Sequence, residues 1–143
     1  MDVNFRGAIY ATREAYSDVV ARKGSFIAIA SVAGFAPLYA RTAYAASKHA
    51  LLGFFETLRT ELVEQEVHVL VVCPGFIDTD IRTHTEDKNN YKSASPVEVA
   101  ELIFQATVRR KPMLVTGIGR LSYLVKRFFP LWYEKLMLRK MRK

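Results

Sequence analysis

Cys73 is the sole cysteine among the 143 residues, which excludes an internal disulfide and fits a reducing compartment. It closes the apolar run VHVLVVC, a setting for a buried, inert thiol rather than a nucleophile. No apolar run reaches the roughly 18 residues that a lone membrane-crossing helix needs. The start, MDVNFRG, has neither the basic segment nor the apolar core of a secretory leader, so a cytoplasmic location is expected. His49, His68 and His84 have no metal-ligand spacing to cysteine or acidic partners; they read as core or solvated side chains, and no metal is expected. Asp78 and Asp80 read as loop caps, not as a paired acid and base.

Acidic residues are almost missing from one end. Residues 109–143 carry 11 Lys and Arg against Glu134 alone, a balance of +10, whereas residues 1–108 carry 10 against 13, a balance of −3. The net charge of +7 therefore belongs to the tail. Such asymmetry points to an anionic surface as partner for one end and away from a nucleic-acid-binding fold.

What is present alternates between two periods. Residues 2–22 repeat apolar side chains at three and four, with Asp2 a candidate cap, and predict a helix. GSFIAIA (24–30) reads as a buried strand, residues 42–65 as a long helix, and VHVLVVC (67–73) as a β-branched strand bounded by Pro74 and Gly75. Ser95-Pro96-Val97-Glu98 is a capping box with proline at the first helical position; it predicts a helix to about Arg110. MLVTG (113–117) is a third short strand, and two amphipathic stretches flank Pro130. Strands alternating with helices of this length predict right-handed βαβ units in a parallel α/β sheet. Ligands of such sheets bind outside the carboxyl ends of the strands. Ser31 and Pro74-Gly75 fall at two such ends, and Tyr44 and Lys48 fall early in the helix that leaves the first.

The register of these residues is specific. Asn4 lies 27 positions before Ser31, Ser31 lies 13 before Tyr44, Lys48 follows Tyr44 by four, and PGFIDT (74–79) follows the second strand. In this the chain resembles the short-chain dehydrogenase/reductase family, over the second half of that family's domain. The resemblance implies a Rossmann-like doubly wound parallel sheet, here its C-terminal three strands with flanking helices. The chemistry is consistent with it. Reducing a carbonyl by hydride needs a proton donor to the developing alkoxide, and a free phenol, with pKa about 10, is a poor one near neutral pH. An ammonium one helical turn away, about 6 Å along the axis, favours the phenolate.

The resemblance implies further roles. Tyr44 would be the general acid or base, Lys48 would also bind the nicotinamide ribose, Ser31 would hold the substrate oxygen, and Asn4 would support the proton relay. Pro74, Gly75, Ile77 and Thr79 would border the nicotinamide of NAD or NADP, and the substrate would be a lipophilic alcohol or carbonyl. An epimerase or dehydratase remains an alternative, since an extended branch of the family shares Tyr-x-x-x-Lys.

The Gly-rich turn that grips a dinucleotide is absent from the sequence. TGIGRL (116–121) reads as a turn into the tail. The expectation is a catalytic half without its phosphate-binding half, with residues 1–117 as part of a Rossmann domain and 118–143 as a basic amphipathic extension. The alternative is a non-catalytic binding or pairing module. For the extension, two readings stand: a helix lying in a membrane interface, or a lid or self-association contact.

Overall fold

The computed structural model describes residues 1–38, 40–78, 93–117 and 119–141. Three parallel strands, β1 (Ser25–Ile29), β2 (His68–Cys73) and β3 (Met113–Val115), lie in the order β1-β2-β3. Among the described residues five α-helices accompany them: α1 (Gly7–Ala21), α2 (Thr42–Glu61), α3 (Pro96–Val108), α4 (Gly119–Phe128) and α5 (Pro130–Met141). This is the expected three-strand part of a Rossmann-like sheet with its flanking helices.

The central strand explains the two faces. All six residues of β2 are buried, as a parallel strand covered on both sides requires. Val69, Val71 and Cys73 point to one face and join Phe26 and Ala28 of β1 with Leu51, Phe55 and Leu58 of α2, while α1 adds Ala8, Ala15 and Val19. Leu70 and Val72 point to the other face and meet Leu114 with Ile103 and Ala106 of α3. The spacing Ser47, Leu51, Phe55, Leu58 is the inner stripe of α2.

Among the described residues β1 is covered on one face only. Ile27 and Ile29 pair in register with Leu70 and Val72, yet they are 42% and 49% exposed because α3 does not reach them. Among the described residues the outer edge of β1 has no partner strand either, as the order β1-β2-β3 dictates. An apolar face beside a free edge is the combination that invites further pairing.

Several ends differ from the sequence expectation. Asp2 does not cap α1; its carboxylate pairs with Arg6 at 2.9 Å, and residues Asp2–Arg6 form a π-helical turn that runs into α1. α2 stops at Glu61, not 65, and the chain turns into β2 through Glu66 at φ 60°. Lys23 and Arg110 do the same before β1 and β3, at φ 49° and 47°. Each is a non-glycine residue in the left-handed region, so the residue type at that position does not announce the turn. The capping box of α3 forms as expected: Ser95 Oγ accepts from Val97 N at 3.3 Å and Glu98 accepts from Ser95 N at 3.0 Å.

The burial of β2 sets a clear expectation. Leu70→Ala removes a fully buried side chain and should cost about 2–5 kcal/mol in chemical denaturation. Val63→Ala, at an exposed position, should stay within about 0.5 kcal/mol. Equal midpoints for the two variants would overturn the assignment of the core.

Candidate active site

The expected residues gather at the carboxyl ends of β1 and β2. Ser31 follows β1 and caps the short 3-10 turn Val32–Gly34, its Oγ accepting from Ala33 N at 3.1 Å. Val32 N donates to the Pro74 carbonyl at 3.1 Å, which joins the exits of the two strands. Gly75, next in the chain, donates its N–H to Thr116 Oγ1 at 3.4 Å and so ties the exit of β2 to that of β3. Ile77 forms an isolated parallel bridge with Ala94. Thr79 lies outside the described residues, as do Asp80 and His84.

Tyr44 and Lys48 stand on the first two turns of α2. The Lys48 ammonium lies 5.8 Å from the Tyr44 ring centroid and donates to the Ile29 carbonyl at 3.1 Å. It is half-buried, and desolvation pulls its pKa below the usual lysine range, opposed by the neighbouring Cys73 thiol. Burial in turn pushes the Cys73 thiol up to about 11, which agrees with an inert buried cysteine. An ammonium has three N–H donors. Among the described residues one is used, on Ile29.

Asn4 reaches the same place from the N-terminal side. It sits in the π-helical turn, and its Nδ2 donates to Ser47 Oγ at 3.3 Å. Ser47 Oγ donates onward to the Tyr44 carbonyl at 2.7 Å. The chain of bonds thus fixes Asn4 against the residue preceding Lys48. π-Turns of this kind recur at functional sites because they re-aim a side chain out of helical register. A groove runs along the edge of β1 between α1 and α2, with Asn4 and Lys48 among its lining residues.

Three further positions shape the site. Ser47, 1% exposed, is the bridge just described. Gly34 packs so close to α2 that a Cβ would lie 2.9 Å from the Lys48 carbonyl oxygen. Gly119, at the start of α4, would put a Cβ 2.6 Å from Val32 Cγ2 and 3.0 Å from Val115 Cγ1. The last two are contacts between distant segments, and nothing local in SVAG or TGIGRL announces them. Gly117, at φ 59°, turns the chain towards the tail, and Gly119–Leu121 already belong to α4. Of the two readings left open for His68, core or solvated, the core one holds: it is buried and bonds the Lys111 carbonyl at 2.9 Å.

The profile of the short chain dehydrogenase family matches residues 1–90. The chain belongs to the short chain dehydrogenase family. It is 31% identical to dehydrogenase/reductase SDR family member 7B of Rattus norvegicus, over 100% of this chain and 48% of the relative. The chain spans about half the length of the curated relatives it matches. Among solved structures, a short chain dehydrogenase of Burkholderia cenocepacia J2315 in complex with NADP superposes with a TM-score of 0.87. It is 22% identical, and the match covers 96% of this chain and 57% of that one. A 4-hydroxyisoleucine dehydrogenase complexed with NADH and succinate gives a TM-score of 0.67 at 26% identity, over 82% of this chain and 55% of that one.

For a short chain dehydrogenase with this packing, Gly34 and Gly53 should respond with opposite signs. Gly34→Ala forces a Cβ against the backbone of Lys48 and should cost about 1–3 kcal/mol. Gly53→Ala, in the middle of α2 with nothing within 4 Å of an added Cβ, should stabilise by about 0.5–1 kcal/mol. Thermal or urea unfolding of both variants checks the pair; a neutral Gly34→Ala would mean that the Ser31 turn does not rest on α2.

Proposed function

We propose that this chain is the catalytic half of an NAD(P)-dependent oxidoreductase that interconverts a lipophilic alcohol and its carbonyl. The observation that carries the reading is the Lys48 ammonium, 5.8 Å from the Tyr44 ring at the carboxyl end of a parallel sheet. Family membership supports it, as do the NADP and NADH named with the two solved relatives.

The residues fit the nicotinamide-ribose end of such a cofactor. Lys48 would offer N–H donors to ribose hydroxyls, and Pro74, Gly75 and Ile77, with Thr79 proposed beyond them, would border the ring. When bound, the nicotinamide gives or takes the hydride. In reduction Tyr44 passes its hydroxyl proton to the developing alkoxide; in oxidation it takes the proton from the alcohol. The Lys48 charge stabilises the negative charge that forms on the phenol oxygen meanwhile. Ser31 Oγ accepts from Ala33 N, so its own hydrogen is available to hold the substrate oxygen in place. Asn4, fixed by Ser47, would support the relay by holding a water near Lys48, and that water would carry the proton. The apolar tail that packs beside the Ser31 turn supports the lipophilic class, and the proposal includes a cytoplasmic location with peripheral contact between residues 118–143 and a membrane.

A second reading, a pairing module without catalysis of its own, is favoured by the free edge of β1 and the exposed Ile27 and Ile29. Saturable binding of NADH or NADPH by the 143-residue chain, followed by nicotinamide fluorescence, would exclude it.

The catalytic reading is tested by joining the chain to the N-terminal half of a matched relative and following nicotinamide absorbance with a panel of alcohols, aldehydes and ketones. Turnover is expected, and Tyr44→Phe should lower it by about 10²-fold or more through loss of the proton donor. Undiminished turnover in Tyr44→Phe would refute the role of the phenol.

A further inference from the structure

α4 and α5 have two different faces. The inner one packs on the body: Tyr133 is 3% exposed within the main core, and Tyr123, Val125 and Met137 pack against that core. The outer one carries Leu121, Leu124, Phe128, Phe129, Leu131 and Trp132, all between 53% and 74% exposed. Leu121, Leu124 and Phe128 recur at three and four and so share one face of α4. Arg120 and Arg127 flank that face at helical spacing, and both are exposed, as is Lys135 on α5. Six large apolar side chains within twelve positions far exceed the scattered exposure of an ordinary surface.

We infer that the outer faces of α4 and α5 are a docking surface for an anionic lipid bilayer. The inference deepens the peripheral contact proposed above by naming the face and the chemistry of its partner. Charge selects the occupant. Residues 109–143 carry 11 basic side chains against Glu134 alone, so an apolar partner with negative charge around it is complementary. A second copy of the same face would bring like charges together, which opposes self-association. Leu, Phe and Trp on one side with Lys and Arg beside them is the composition that seats a helix at the headgroup boundary. Among the described residues no helix is long and apolar enough to cross a membrane, so attachment is peripheral. The inner face keeps the helix pair on the protein while the outer face meets lipid, which brings the bilayer to the α4 side of the Ser31 turn.

Trp132 is the only tryptophan of the chain, so its fluorescence reports on this face alone. The 143-residue chain is mixed with vesicles of phosphatidylcholine containing roughly a third phosphatidylserine, and with phosphatidylcholine vesicles, at low salt. Cosedimentation with the anionic vesicles, a blue shift of Trp132, and quenching by brominated lipid are expected. About 0.5 M salt should release the protein, because screening shortens the reach of the tail's charges. Leu124→Asp with Phe128→Asp should reduce vesicle partitioning roughly tenfold or more at an unchanged thermal midpoint, both sites being exposed. Retained binding in that double variant, or a Trp132 emission indifferent to bound vesicles, would overturn the inference. So would a dimer in sedimentation velocity that the double variant dissolves without any vesicle binding, since the face would then be occupied by a second copy. No nicotinamide enters the assay, so its outcome is separate from that of the catalytic reading.

Discussion

A parallel strand with side chains buried on both faces can exist only if something covers each face, and β2 imposes that demand on the whole chain. Val69, Val71 and Cys73 need α1 and α2; Leu70 and Val72 need α3. Meeting both demands with short connections forces the crossovers to one hand and aims every strand in the same direction. The carboxyl ends of β1, β2 and β3 consequently share one rim. Ser31, Pro74 and Thr116 are neighbours there for that reason, and two backbone links, Val32 to Pro74 and Thr116 to Cys73, close the rim at 3.1 and 3.3 Å.

The site is then made by one close approach. With no Cβ at Gly34, the turn after β1 settles onto the Lys48 carbonyl, so the Ser31 turn and the Tyr44–Lys48 helix are held together by backbone contact. Side chains that hydrogen-bond across this contact need little further ordering. Lys48 is anchored on Ile29 of the strand itself. Asn4 is anchored through Ser47 to the Tyr44 carbonyl. Preorganisation of this kind is what the proton transfer proposed for Tyr44 would need, since its contribution depends on donor and acceptor being held within hydrogen-bond reach.

Periodicity and local chemistry made much of this legible before any coordinates. The β-branched run of β2, the capping box of α3 and the alternation of strand and helix read directly from residue types, because each depends on neighbours in sequence. The pairing of Tyr44 with Lys48 was legible for the same reason: helical spacing alone stacks them. Helix ends were less so. Lys23, Glu66 and Arg110 enter the left-handed region without being glycine, and the π-turn at Asp2–Arg6 breaks the 3.6-residue repeat that predicts a plain helix. Least legible were Gly34, Gly119 and Ser47, whose importance lies in partners at long separations. Such contacts follow from the packing of α2 and α4 onto the rim and from no feature within a few residues.

The packed contact and the proposed membrane contact of the tail draw on opposite faces of one segment. A lid must bury apolar surface against the body, and a membrane helix must keep it outside; a single narrow stripe serves only one. α4 and α5 carry enough apolar residues for both. Tyr123 meets the Phe35 ring edge-on with centroids 5.0 Å apart, and Lys126 donates to the Phe35 carbonyl. Those contacts turn the inner side of α4 onto the loop that begins at Ser31. Leu121, Leu124 and Phe128 are then turned outward by the same helical register. The proline at the start of α5 fits this arrangement, since it occupies a first helical position where its missing N–H is not needed. Tyr133, three residues on, returns α5 to the core. Leu131 and Trp132 lie between those two points and are left exposed. The exposure of that face is therefore a consequence of how firmly the opposite face is held.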